Sequence, residues 1–267
     1  MSKLTPEDVV LRYSKRGMNV LKKYLRDGYC RTAAEKLLHA ERGTVLLTTG
    51  FYVAGYAETD GPLGTVAVAE ALNHLGFHSV VVTDKYCKGF FELKQLDVEY
   101  VDIAADEQVY EDILDKYNPV YMISIERCGE NAEHEYANMR GVSITSETAA
   151  IDHLFELAPE KHIPTIGVGD GGNEIGMGNV KDIISEKLEL NPCVVPVDDL
   201  IIATTSNWGA YALTAWLQKL SGEEVLFTFA EAEPYLAATL EIGSVDGVLK
   251  EKKMGVDGFD MTVEKEI

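Results

Sequence analysis

The chain has 267 residues, 46% hydrophobic and 25% charged, a composition that supports a large buried core and excludes the disordered and fibrous classes. Its 44 acidic residues outnumber 24 basic ones, giving a formal charge of −20. The acids are spread along the chain, and such a surface repels phosphate backbones and anionic lipid, which weighs against nucleic acid and membranes as partners.

The four cysteines, Cys30, Cys87, Cys128 and Cys193, are far apart and show no Cys-x-x-Cys spacing. They read as reduced, buried thiols. The start, Met1 to Asp8, lacks the apolar core of a signal peptide, and no apolar run reaches the ~20 residues that span a bilayer. A cytoplasmic protein is expected.

In chain order, Thr5-Pro6-Glu7-Asp8 has an N-cap, a proline at the first helical position and acids in the first turn. Two helices are expected before the first strand, the second over Thr32 to Ala40, so that residues 1–42 form a helical extension and 43–267 an α/β catalytic domain continuous with it. The basic excess of the extension (Arg12, Lys15, Arg16, Lys22, Lys23, Arg26) reads as a solvated face. From Gly43 strands and helices alternate. Strands are expected at Thr44–Thr49, Ser79–Thr83, Val98–Val101, Val120–Ile125, Pro164–Val168 and Leu200–Ala203. Helices are expected at Leu63–Leu75, Lys88–Leu96, Asp106–Tyr117, Ser146–Leu157, Val180–Leu190 and Asn207–Leu220. Strands of continuous Val, Ile and Leu between helices are covered on both faces, which predicts a doubly wound, mostly parallel, Rossmann-like sheet in three layers. A further helix is expected over Glu231 to Glu241. The end of the chain, 243–267, would fold over the site or serve a neighbouring subunit of a homo-oligomer.

In such sheets ligands sit beyond the carboxyl ends of the strands. The most distinctive loop there runs from Gly167 through Gly178, with six glycines and two carboxylates, Asp170 and Glu174. The string Gly167-x-Gly169-x-x-Gly172 matches a dinucleotide fingerprint, but a pyrophosphate would meet Asp170, and the next helix pattern begins too late to offer its N-terminus. Carboxylates on a glycine-rich loop suit a hard divalent cation instead; a tight loop whose Asp and Asn merely cap turns is the alternative. Other strand ends carry Thr49, then Asp60-Gly61, Asp84, Glu126-Arg127 and Ser206-Asn207. Several carboxylates in one small site stay ionised only with a cation among them. Asp60, Glu126, Asp170 and Glu174 are therefore the candidate ligands of a Mn or Mg ion, the expected cofactor. Asp84, Arg140 and Asn207 are the candidate catalytic groups. Thr49, Gly61, Arg127, Asn138, Gly171, Gly172, Asn173 and Ser206 are the candidate contacts to a small anionic substrate. The helix start at Thr204–Asn207 could cap itself or hold an anion. His74 and His78 are separated by Gly76 and do not read as a zinc pair.

Thr49-Gly50-Phe51, Glu58-Thr59-Asp60-Gly61-Pro62, Glu126-Arg127, Asn138-Met139-Arg140-Gly141, the string Gly169 to Gly178 and Ser206-Asn207-Trp208-Gly209 together resemble one family. It is the C-terminal domain of D-glutamate cyclase with its free-standing microbial relatives, over roughly Thr44 to Leu220. The resemblance implies enzymes that convert D-glutamate to 5-oxo-D-proline and carry a separate N-terminal domain, which this chain is expected to lack. The acid-rich segment Cys128 to Tyr136 departs from the usual loop.

Three functions follow as expectations. The first is a metal-dependent phosphatase in which the ion activates water, Asp84 positions or deprotonates it, and Arg140 and Asn207 steady the developing charge. The second is a D-glutamate cyclase-like lyase with Arg140 on a substrate carboxylate. The third is a sensor that binds metal or a small ligand without catalysis.

Overall fold

A computed structural model describes residues 4–267, so the first three positions of the expected N-terminal extension and signal-peptide reading lie outside it. The main sheet has six strands: β1 (Thr44–Thr48), β2 (His78–Thr83), β3 (Asp97–Tyr100), β4 (Tyr121–Ile125), β5 (Thr165–Gly169) and β6 (Asp199–Ile202). Their order across the sheet is β3-β2-β1-β4-β5-β6, and every pairing is parallel. The doubly wound expectation therefore holds, and the reversal of strand order falls between β1 and β4. In open α/β sheets a ligand crevice opens where the strand order reverses. The sequence accounts for the burial: Leu46 lies between Val80 and Met122, and Val168 between Ile125 and Ile201, apolar on both faces.

Helix α1 spans Pro6–Val10, α2 Met18–Leu21 and α3 Tyr29–His39, three helices where two were expected. The cap at Thr5 is present: its hydroxyl accepts from Asp8 N at 3.3 Å and the Asp8 carboxylate accepts from Thr5 N at 2.9 Å. Met18, Leu21, Ala33 and Leu37 share the main core, so the extension is packed into the α/β body. Helix α4 (Pro62–His74) packs on α8 (Ser206–Ser221), and α8 on α3, forming one covering layer. Gly64 permits this approach, since a Cβ there would stand 2.8 Å from Ala210 Cβ. Helix α5 (Glu107–Tyr117) packs against α6 (His153–Lys161). Helices α7 (Lys181–Leu188), α9 (Phe229–Ile242) and α10 (Met261–Glu266) complete the set.

Two expected helices are shorter or different. Lys88–Leu96 is not an α-helix: 3-10 turns at Lys85–Cys87 and Phe91–Lys94 flank Gly89, whose φ of +92° interrupts them. Ser146–Leu157 becomes a 3-10 turn at Thr145–Glu147 and then α6, because Asp152 turns its carboxylate to Glu130 N at 2.7 Å and to the Tyr136 hydroxyl at 2.6 Å. No helix among the described residues is long and apolar enough to cross a membrane.

Candidate metal centre at the strand ends

Three carboxylates from distant parts of the chain meet beside the β1/β4 crevice. One oxygen each of Asp60, Glu126 and Asp170 lies within 4.8 Å of the others, and all three residues are buried. Asp60 arrives just before α4 through a turn that only glycine can make. Gly61 has φ +98°, and a Cβ there would meet Thr49 Oγ1 at 2.5 Å and Glu126 Cβ at 2.9 Å. Glu126 follows β4 directly in a left-handed conformation, φ +49°, of the kind that non-glycine residues hold at functional sites. Asp170 follows β5 directly.

The first two are held by hydrogen bonds from α8. Asp60 accepts from Ser206 N at 2.8 Å, Asn207 N at 2.7 Å and Gly61 N at 3.0 Å. Its charge faces the positive end of the α8 dipole. That helix start, a candidate anion site from sequence, is thus filled by the chain's own carboxylate. Glu126 Oε2 accepts from Ser206 Oγ at 2.5 Å. Asp170 Oδ1 accepts from Arg16 Nη1 at 2.7 Å, while its Oδ2 is buried with no hydrogen-bond partner among the described residues. An orphaned buried carboxylate oxygen is costly unless a ligand satisfies it. Hard oxygen donors from three acids fit a divalent cation of the Mn or Mg type.

Burial, and then the neighbouring charges, hold these acids well above the carboxylate range. Asp60 is pushed up to about 8 from its ordinary 3.8, by desolvation first and Asp257 second, with the α8 amides opposing. Glu126 is raised by desolvation, then Glu174, Asp60, Glu58 and Asp257. Asp170 is raised by desolvation, with Arg16 opposing. Raised folded-state values mean that the folded protein retains protons the unfolded chain releases, so stability falls as pH rises. In chelator, the melting temperature is expected to drop progressively between about pH 4 and about pH 8, the window set by the ordinary and folded values of Asp60. Added Mn or Mg is expected to raise it more at the upper end than at the lower. A chelated protein equally stable across that range would contradict the arrangement.

The other sequence candidates are placed less uniformly. Glu174 is outside the triad: its oxygens accept from Gly171 N at 2.7 Å and Gly172 N at 2.8 Å, closing the glycine loop. Gly171 and Gly172 thereby spend their amides on Glu174. Asp84 and Arg127 form a fully buried pair at 2.6 Å. Arg127 also donates to Gly50 O and Ala149 O, each at 2.7 Å, so the pair, expected to activate water and bind substrate, ties the ends of β2 and β4 to the Gly50 and Ala149 segments. Asn207 accepts from Gly61 N at 2.9 Å and Gly64 N at 2.8 Å and donates to Thr59 O at 3.0 Å. Its amide staples the Asp60 turn to α8, with its oxygen accepting twice and one of its two N–H groups donating. Thr49 Oγ1 is buried beneath Gly61 without a partner. Asn138 accepts from Arg140 N at 2.9 Å and Val142 N at 3.2 Å, and Asn173 donates to Ala137 O at 2.8 Å with its Oδ1 unpartnered.

Arg16, Glu58 and Asp257 escaped the sequence reading. Arg16 belongs to the basic set expected on a solvated face, yet its Nη1 meets Asp170 and its Nη2 meets Asp257 Oδ2 at 2.5 Å. Its companions behave as expected of surface charges: Arg12 pairs with Glu266 and Lys22 with Asp8. Only Asp257-Gly258 hinted at a turn. The chain end folds over the site: Thr59 N donates to Val245 O at 2.9 Å, and buried Asp246 accepts from Val248 N, Leu249 N and Gly258 N. Trp208 Nε1 donates to Glu264 at 2.6 Å, anchoring α10 to the start of α8.

A cavity of about 460 Å³ opens onto the centre, lined among others by Glu126, Glu174, Arg16, Arg140, Asn138 and Asn173. A larger one, about 880 Å³, lies at the opposite end of the strands against Tyr121, Thr165 and Asp199 and shares none of these residues. The smaller cavity is the one at the strand carboxyl ends, beside the three acids.

The family model described as D-glutamate cyclase-like, C-terminal, matches residues 7–267. The mitochondrial D-glutamate cyclase of Homo sapiens is 32% identical over 259 residues, covering 83% of this chain and 40% of that protein. The chain thus spans less than half of that relative's length. Solved structures are distant: Brucella ovis UDP-glucose 4-epimerase in complex with NAD is 16% identical with a TM-score of 0.32, over 55% of this chain and 49% of that one. Bordetella bronchiseptica WbmH in complex with NAD+ is 13% identical with a TM-score of 0.33, over 76% and 64%. Neither likeness carries weight for fold or ligand.

Proposed function

The chain belongs to the D-glutamate cyclase-like, C-terminal family, and on that premise we propose that it is a lyase of the D-glutamate cyclase type, acting at a divalent-cation centre. The observation that carries this reading is the convergence of Asp60, Glu126 and Asp170 under a cavity bordered by Arg140. Family membership supports the substrate class, a small amino-dicarboxylate.

In the reaction the substrate nitrogen forms a bond to the side-chain carboxyl carbon, and the ammonium gives up two protons. One carboxyl oxygen leaves with them as water. A Mn or Mg ion held by Asp60, Glu126 and Asp170 would supply Lewis-acid polarisation of that carboxyl group. The chain's own groups do the rest. Arg140, exposed and without an ion-pair partner among the described residues, can grip the unreacting carboxylate bidentately. The folded-over chain end forms one wall of the cavity, through Gly247, Val248, Lys250 and Asp257.

The phosphatase expectation has less support. It needs donors for a developing phosphoryl charge, and of those expected to supply them the α8 amides of Ser206 and Asn207 are occupied by Asp60 and most of the Asn207 side chain by the Asp60 turn, which leaves Arg140 as the principal one. The assay that separates the readings uses protein stripped with chelator and reloaded with Mn or Mg. D-Glutamate is expected to yield 5-oxo-D-proline, detected by proton NMR, only with metal present. Metal-dependent release of phosphate from a generic ester without lactam formation would restore the phosphatase reading. Metal binding with neither reaction would leave the sensor.

A further inference from the structure

The charges around the 460 Å³ cavity do not balance within the protein, and the imbalance has a definite composition. Four acids line it: Glu58, Glu126, Glu174 and Asp257. Three of them are engaged, Glu126 by Ser206 Oγ, Glu174 by the Gly171 and Gly172 amides, and Asp257 by Arg16. Glu58 is not. It is only 6% exposed, yet its carboxylate has no hydrogen-bond or ion-pair partner among the described residues, because Arg16 is committed to Asp170 and Asp257. The Glu58 Oε2 lies against the folded-over chain end: a Cβ on Gly247 would stand 1.6 Å from it, so the carboxylate sits where a side chain at 247 would be.

Three cations line the same cavity: Arg16, Arg140 and Lys250. Arg16 is engaged, whereas Arg140 and Lys250 have no acidic partner among the described residues. Lys250 is held in the left-handed region, φ +58°, with its N–H on Asp246 O at 2.7 Å. What the cavity leaves unmatched is therefore one buried carboxylate and two cations. A ligand with one ammonium and two carboxylates complements that set.

We propose that Glu58 is the specificity-determining residue for the substrate's ammonium group, and that Arg140 and Lys250 take its two carboxylates. The assignment rests on the amino-dicarboxylate reading given above and adds residues to it. It makes amine recognition separable from catalysis, since glutarate carries the same two carboxylates and lacks the amine.

The test is calorimetric titration of the full-length, Mn-loaded protein with D-glutamate and with glutarate. The parent is expected to prefer D-glutamate by roughly tenfold or more, the size of one charge-assisted hydrogen bond. Glu58→Gln is expected to bring that ratio to near one while leaving glutarate affinity unchanged. Lys250→Met, on an exposed loop, is expected to weaken both ligands to a similar extent. A Glu58→Asp variant, which keeps the charge, is expected to retain the preference and guards against loss through misfolding. An undiminished preference in Glu58→Gln, or equal binding of both ligands by the parent, would overturn the assignment. Failure of the parent to form lactam while the preference and its loss are observed would sink the cyclase reaction and leave the recognition standing.

Discussion

Replacing Asp170 by asparagine is expected to remove divalent-cation binding and leave the fold in place. Asparagine has nearly the same shape and keeps an oxygen for Arg16, so the contact at 2.7 Å to Asp170 Oδ1 can persist in weaker form. What is lost is the charge on the buried oxygen that nothing else satisfies. Loss of an outer-shell partner alone costs roughly 10–100-fold in metal affinity, and loss of a ligand should exceed that. The measurement is Mn content after dialysis together with calorimetric titration of parent and variant. In chelator the variant should melt close to the parent, because one of several mutually repelling acids has been neutralised. Parent-like Mn affinity in Asp170→Asn would mean that the three carboxylates are brought together for some other reason.

The second large effect is expected at Asp84, in stability. Asp84→Ala leaves Arg127, which is completely buried, without its counter-charge. Removing one partner of such a pair costs about 3–5 kcal/mol. For a chain of this size that corresponds to a fall in melting temperature of roughly 10 °C. Metal affinity in the variant that remains folded should match the parent, since Asp84 lies outside the triad. The opposite pattern, a variant that melts with the parent and is inactive, would return Asp84 to the chemistry that its position after β2 suggested.

These two residues show where reading the chain succeeds and where it stops. Asp60, Glu126 and Asp170 were legible because each follows an apolar strand, or the loop it feeds, and in a parallel sheet all such ends face one way. Asp84 satisfied the same rule and still belongs elsewhere. It sits after β2, one strand beyond the crevice, where Arg127 from the β4 end reaches across Gly50 to claim it. Strand order alone does not make that difference, since Asp170 after β5 is equally one strand from the crevice; the pairing of Asp84 with an arginine 43 positions away does. Asn207 illustrates the same limit, since a helix start can serve a ligand or the protein's own turn, and only the packing of α4 on α8 says which.

Arg16, Glu58 and the chain end were less legible still. A lone arginine among six basic residues of the N-terminal extension carries no periodic signal that distinguishes it from a solvated neighbour. Its partners, Asp170 and Asp257, lie 154 and 241 positions away. Glycine at 247 looked like loop punctuation until Glu58 was seen against it.

By itself the sequence determined the layered α/β architecture, its strands and most of its helices, and four candidate acids among which are the three that meet, because hydrophobic period and glycine placement act within a few residues of one another. The tertiary structure alone decided which charges are spent inside the protein and which are left facing the cavity. Electrostatic pairing acts through space across a buried, poorly screened interior, and so depends on neighbours that the linear order of residues does not name.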